Sequence, residues 1–172
     1  MNNITTKEFI ESINFKYFET YSFQRKGQFD IYEELLKKYT NDNDSLTNEE
    51  TIELKKLRKT IYNQENNFIF SENKKINKTA ELVYTYDNTK NLNDELINIL
   101  KTPFVDFDAW MCAPIYRDAI LFYDTNNMII DGINICFECS NIINLNKIEI
   151  LTDRIVYEKL KEFLQSIGHK IK

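Results

Sequence analysis

Three glycines, two prolines and a single histidine in 172 residues exclude a good deal of chemistry. A loop that cradles phosphates needs several glycines so that the backbone can approach the anion, and no such run is present; nor is there a nucleophile elbow or a zincin helix. The one histidine, His169, lies beyond the last apolar-periodic segment and close to Lys172, a poor place from which to orient a general base. No stretch approaches the roughly 18 apolar residues of a membrane span. The opening MNNITTKEFIESINF lacks the basic flank and apolar core of a secretory signal. A cytoplasmic chain whose three cysteines are reduced is therefore expected, with no membrane association.

What is present is ample apolar material: 42% of the residues are hydrophobic and 13% aromatic, enough to exclude wholesale disorder. At this length one core suffices, and the scarcity of glycine and proline leaves little for linkers, so residues 1–172 are expected to form a single domain. The net charge of −5 is uneven, because residues 81–149 hold 11 acidic side chains against 4 basic ones. Nucleic-acid affinity comes chiefly from Lys and Arg displacing counterions, so a nucleic-acid partner is not expected, whereas an acidic face suits a basic protein.

Along the chain, Thr5 and Glu8 have capping-box spacing ahead of a short helix over about 6–13, and Thr47 and Glu50 repeat it ahead of a longer helix to about Tyr62. In that longer helix the acids lead and the bases follow, which opposes the macrodipole. Between them, aromatic density over Phe15–Phe23 favours an extended segment, and Ile31, Leu35, Leu36 and Tyr39 mark another helix. The Asn- and Lys-rich 63–78 segment reads as a mobile loop around Phe68, Ile69 and Phe70. Glu81–Tyr86 reads as a strand and Leu92–Leu100 as a helix closed by Pro103. Residues 1–79 are thus expected to be mainly helical, and 80–172 to supply a sheet and a C-terminal helix.

The densest stretch runs from Trp110 to Cys139. Ala119–Tyr123 and Met128–Phe137 are apolar runs joined by Asp124, Thr125, Asn126 and Asn127, which predicts a β-hairpin, and their low polarity places it at a sheet centre, starting near Tyr116 or Arg117. Ile142–Leu151 alternates and adds a third strand. A final helix is capped by Thr152 or Asp153, carries Ile155, Val156, Leu160, Phe163, Leu164 and Ile167 inward, and ends at Gly168. The fold class is α+β: an antiparallel meander packed by helices.

Cys136 and Cys139 form a CxxC, and with Cys112 and His169 they make up the residue types of a Cys3His zinc site. Against zinc, Cys136-Phe-Glu-Cys139 follows a strand and has no turn former. Against a redox pair, Glu138 between the sulfurs disfavours a thiolate. Buried inert thiols are the remaining reading. Tyr116, Arg117 and Asp118 form a candidate recognition cluster in which strand alternation puts Tyr116 and Asp118 on one face. Arg117 either binds an anion or is tied to a carboxylate such as Asp106 or Asp108. Those two aspartates alternate about Phe107 and either share a face as metal ligands or simply meet water.

The series Cys112-Ala-Pro-Ile-Tyr-Arg-Asp118, Phe122-Tyr123-Asp124 and Ile135-Cys136-Phe-Glu-Cys139 resembles a motif in a group of uncharacterised bacterial proteins, some lipoprotein-like. The similarity covers about a third of the chain and lacks the lipidation signal. It implies no catalytic residue, but it does imply that Cys112, Arg117, Cys136 and Cys139 cluster in space. The expected function is non-enzymatic: an immunity-type protein that neutralises a basic toxin through Asp106, Asp108, Asp124, Asp131 and Glu138, with no cofactor. The alternative is a zinc or redox thiol site on Cys112, Cys136 and Cys139, with His169 as a further zinc ligand.

Overall fold

Six consecutive buried residues, Asp118–Tyr123, form the strand on which the molecule is built. The computed structural model describes residues 4–41, 45–63, 67–70, 75–85, 92–106 and 112–171. In chain order the elements are β1 (Ile4–Thr5), α1 (Thr6–Ser12), β2 (Tyr17–Ser22), α2 (Gln28–Thr40), α3 (Asn48–Ile61), β3 (Glu81–Tyr84) and α4 (Leu92–Leu100). They continue with β4 (Asp118–Tyr123), β5 (Ile129–Cys136), β6 (Asn141–Asn144), β7 (Ile150–Leu151) and α5 (Arg154–Ser166). The main sheet is antiparallel with strand order β3-β2-β4-β5-β6, and β1 pairs in parallel with β7 in a two-stranded sheet. The α+β class, the central hairpin and both threonine capping boxes match the sequence expectation.

The sheet's two faces follow from β4's alternation. Ile120 and Phe122 join Phe18, Ile133, Ile135 and Ile142 on the face covered by α1, α4 and α5. Ala119, Leu121 and Tyr123 look the other way, with Tyr21, Cys136 and Ile143, beneath the Phe68–Phe70 segment. Burying one such large side chain stabilises the fold by about 1.5–3 kcal/mol. The α2–α3 pair forms a third cluster with Ile115.

Residues 1–79 hold α1, α2 and α3 as expected, and the extended segment expected at Phe15–Phe23 is β2, which lies in the sheet between β3 and β4. Several expectations are corrected. The described part of the 63–78 segment is anchored: Ile69 is fully buried and its N–H donates to the Asn134 side chain at 2.7 Å. Residues 64–66 and 71–74 lie outside the described residues. The strand expected over Ile142–Leu151 is broken into β6 and β7, since the Asn144 side-chain oxygen accepts from the N–H groups of Asn146 and Ile148 and Lys147 takes a positive φ of 61°. Asp124 builds the β4–β5 turn in the same way, accepting from Asn126 and Met128 with Asn127 at φ 61°. Ile155, expected inward, is half exposed on the first turn of α5.

Candidate functional site

α5 ends as the glycine predicted, and its end has a consequence the sequence reading missed. Gly168 adopts φ 113°, its N–H donates to the Gln165 carbonyl and the His169 N–H to the Leu164 carbonyl, which is a Schellman turn. The turn folds His169 back into the molecule, where Nδ1 lies 2.7 Å from Asp118 Oδ1 and Nε2 lies 2.8 Å from Thr20 Oγ1. The other oxygen of Asp118 accepts from Arg25, whose Nε donates to Ser22 Oγ at 2.6 Å. His169 is therefore well oriented, contrary to expectation. The order carboxylate, imidazole, hydroxyl is that of a nucleophile relay. Thr20 and Asp118 are, however, 0% and 1% exposed, so substrate has no access to the hydroxyl, and the chain of contacts works as an internal tie between β2, β4 and the C-terminal segment.

The expected recognition cluster is divided. Tyr116 packs with Ala119, Leu121 and Tyr123 and donates to Asn141 Oδ1 at 2.6 Å, while Asp118 faces the opposite side with His169. The alternation that would have joined them fails because β4 begins only at Asp118. Arg117 is tied to a carboxylate, but to Glu33 of α2 and not to Asp106 or Asp108. Glu138 lies 3.8 Å from the same guanidinium, and Arg117 Nε finds no acceptor among the described residues. Asp106 is exposed, with its N–H directed at the α5-capping carboxylate of Asp153. Asp108 lies outside the described residues.

The cysteines are arranged differently from either sequence reading. Cys112 and Cys139 form a disulfide with Cα atoms 5.6 Å apart, and Cys136 is free and buried. The expectation of three reduced thiols is thus overturned for two of them. Cys136-Phe-Glu-Cys139 lacks a turn former, but residues 137–140 do make a turn, closed by Ser140 at φ 46°. Burial pushes the Cys136 thiol up, and the backbone N–H groups of Cys139, Ile115 and Glu138 partly offset it. The four side chains expected as zinc ligands are split between a disulfide, a buried thiol and a histidine whose two ring nitrogens are already engaged.

These groups surround one cleft of about 470 Å³ between α2, α3 and the end of β5, lined by Cys112, Cys136 and Cys139 together with Arg25, Glu33, Arg58, Arg117 and Glu138. Cys112, Arg117, Cys136 and Cys139 do share this place. A second cleft of about 650 Å³ lies on the other side of the Arg117–Glu33 pair and reaches His169, Lys78 and Lys170.

Of the expected partner-binding acids, Glu138 borders the disulfide cleft. Asp124 sits in the turn at the opposite end of the β4–β5 hairpin, its carboxyl held below its ordinary range by the Met128 N–H. Asp131 is partly buried, with its carboxyl raised by burial while it accepts from the N–H groups of Gly132 and Leu145. Asp106, Asp124 and Glu138 therefore do not make one continuous face. Between Asp124 and Asp131 lies a feature the sequence reading passed over: Met128, Ile129 and Ile130 are 64%, 36% and 39% exposed. The β6 ladder reaches only Ile133–Cys136, so the first half of β5 has an open edge among the described residues. Ile148, at the same end of the sheet, is also exposed. No helix among the described residues is long and apolar enough to cross a membrane. Comparison of the chain with family models, curated proteins and solved structures found no match in any of the three.

Proposed function

We propose that the protein is a non-catalytic binding module that neutralises a basic protein partner, in the manner of an immunity protein, and that it docks through the β4–β5 hairpin. The observation that carries this reading is the open, apolar Met128–Ile130 edge held between Asp124 and Asp131. Unpaired N–H and C=O groups on such an edge accept an extended segment of another chain, and apolar side chains beside them add affinity. The surplus of 11 acidic over 4 basic residues within 81–149 supplies charge complementarity to a basic surface such as a nuclease groove. Asp124 and Asp131 are the expected acids that flank the edge; Asp106 and Glu138 lie away from it.

The Cys112–Cys139 bond supports an oxidising compartment for this encounter over the expected cytoplasm, because such a bond persists where thiols are not held reduced. The test is calorimetric titration of the protein with any basic toxin domain encoded beside its gene, expressed and purified. Saturable binding that weakens with added salt, and that Ile130→Lys weakens about tenfold or more, supports the reading. Absent binding, or binding indifferent to salt and to Ile130→Lys, overturns it.

A further inference from the structure

The free thiol and the disulfide are neighbours by construction. The turn over residues 137–140 starts directly after Cys136 and contains Cys139, and the two residues are buried in one and the same cluster. Cys139 is also the residue bonded to Cys112. All three cysteines line the 470 Å³ cleft, in which Arg25 and Arg117 are paired with Asp118 and Glu33 and Arg58 adds a further positive charge. Cys112 is exposed, whereas Cys136 and Cys139 are buried. A disulfide used only as a staple needs no third cysteine within three residues of one of its sulfurs and buried in the same cleft.

We propose that Cys112, Cys136 and Cys139 form a thiol–disulfide exchange centre, in which Cys136 displaces Cys112 from Cys139 and so presents Cys112 to solvent as a reactive thiol. In this step the Cys136 thiolate attacks the Cys139 sulfur and the Cys136–Cys139 bond forms. The Cys112–Cys139 bond breaks with its electron pair leaving on Cys112, which takes up the proton that Cys136 released. The exchange is redox-neutral and needs no external oxidant or reductant. Cys112 is an effective leaving group because its residue is exposed and its sulfur departs toward water, and a better-stabilised thiolate leaves faster. The buried Cys136 is a thiolate only a small fraction of the time, so the disulfide of the resting state is long-lived and the exposed thiol is released slowly. The freed Cys112 thiolate then adds to a soft electrophile, or attacks an accessible disulfide to form a mixed disulfide while that disulfide's S–S bond breaks and its other sulfur leaves as a thiol, a chemistry separate from the docking edge of β5.

The experiment is to incubate the native protein with N-ethylmaleimide, quench, digest without reduction, and map labels and disulfides by mass spectrometry. The expected result is label accumulating on Cys112 together with a Cys136–Cys139 cross-linked peptide, faster as pH rises. Cys136→Ser should slow labelling of Cys112 about tenfold or more, because the original bond can no longer be displaced. Cys112→Ser provides the second readout: in oxidised glutathione, with its fold checked by circular dichroism, it should close the Cys136–Cys139 bond and lose both thiols. Label confined to Cys136 and seen only after denaturation, with Cys112–Cys139 as the sole disulfide, overturns the proposal. So does a folded Cys112→Ser variant that keeps two free thiols.

Discussion

Asp118→Asn removes one charge from the most enclosed charged group of the sheet and leaves the shape unchanged. Asp118 is 1% exposed and serves Arg25 with one oxygen and His169 with the other. Asparagine keeps one acceptor for Arg25 but loses the charge that pairs with it, and its NH2 group can meet His169 Nδ1 only if the ring proton moves to Nε2, facing Thr20 Oγ1. Breaking a buried ionic pair costs about 3–5 kcal/mol, and here the Arg25 side chain remains 22% exposed, so water compensates in part and a loss of about 2–3 kcal/mol is expected. In urea, with an m-value of about 2 kcal/mol/M, the unfolding midpoint should fall by about 1–1.5 M at unchanged slope. A cycle with His169→Gln should show non-additivity of about 0.5–3 kcal/mol, since both residues belong to one hydrogen-bonded chain. A midpoint shift below about 0.3 M, or two single effects that simply add, would refute the claim that this chain of contacts ties the C-terminal segment to the sheet.

Gly132→Ala should lower the melting temperature by about 3–10 °C, measured by circular dichroism. Its new Cβ would stand 2.7 Å from both the Ile120 carbonyl oxygen and Leu121 Cδ2 on the paired strand, and an unchanged melting point would count against this register. Reduction of Cys112–Cys139, which closes a loop of sequence separation 27, should cost about 3.5 kcal/mol by loop entropy and move the urea midpoint accordingly. Equal midpoints with and without reductant would argue that the bond is not formed. Burial and other nearby groups push the Tyr21 and Tyr62 hydroxyls up to about 12, from about 10 in an open chain. Because the folded values are raised, the stability they contribute is full below about pH 10 and is lost as pH rises toward about 12. Phenolate absorbance should show these two tyrosines still protonated at pH values where exposed ones have ionised, and a single common titration would contradict it.

Much of the fold is local and therefore legible. Thr5 with Glu8, and Thr47 with Glu50, specify two helix starts by side chains three residues apart, and both capping boxes form as spaced. The Asp124–Asn127 turn and the apolar runs on either side specify the hairpin, because an Asx turn and two-residue periodicity need only neighbouring residues. Where the reading failed, a distant partner or one backbone angle decided. Asn144 could have been strand or turn, and its side chain closed a turn that split β6 from β7. Tyr116 and Asp118 share a face only if the strand already runs through Arg117, and β4 starts one residue later.

The site residues divide in the same way. Composition alone fixed the lack of a phosphate loop, the acidity of 81–149 and the position of Gly168 at a helix end, since these depend on residue type and short spacing. It could not fix which cysteine pairs with which, because Cys136–Cys139 is the near pair in sequence and Cys112–Cys139 is the pair the hairpin brings to 5.6 Å. Nor could it give Arg117 to Glu33, 84 residues away, or His169 to Thr20, 149 residues away. Those pairings exist only once β2 has entered the sheet beside β4, α2 has packed over its end and α5 has turned back at Gly168. The sequence by itself determined the elements and the charge; the tertiary structure decided the partners, because an ion pair or a disulfide is set by distance in space and carries no periodicity along the chain.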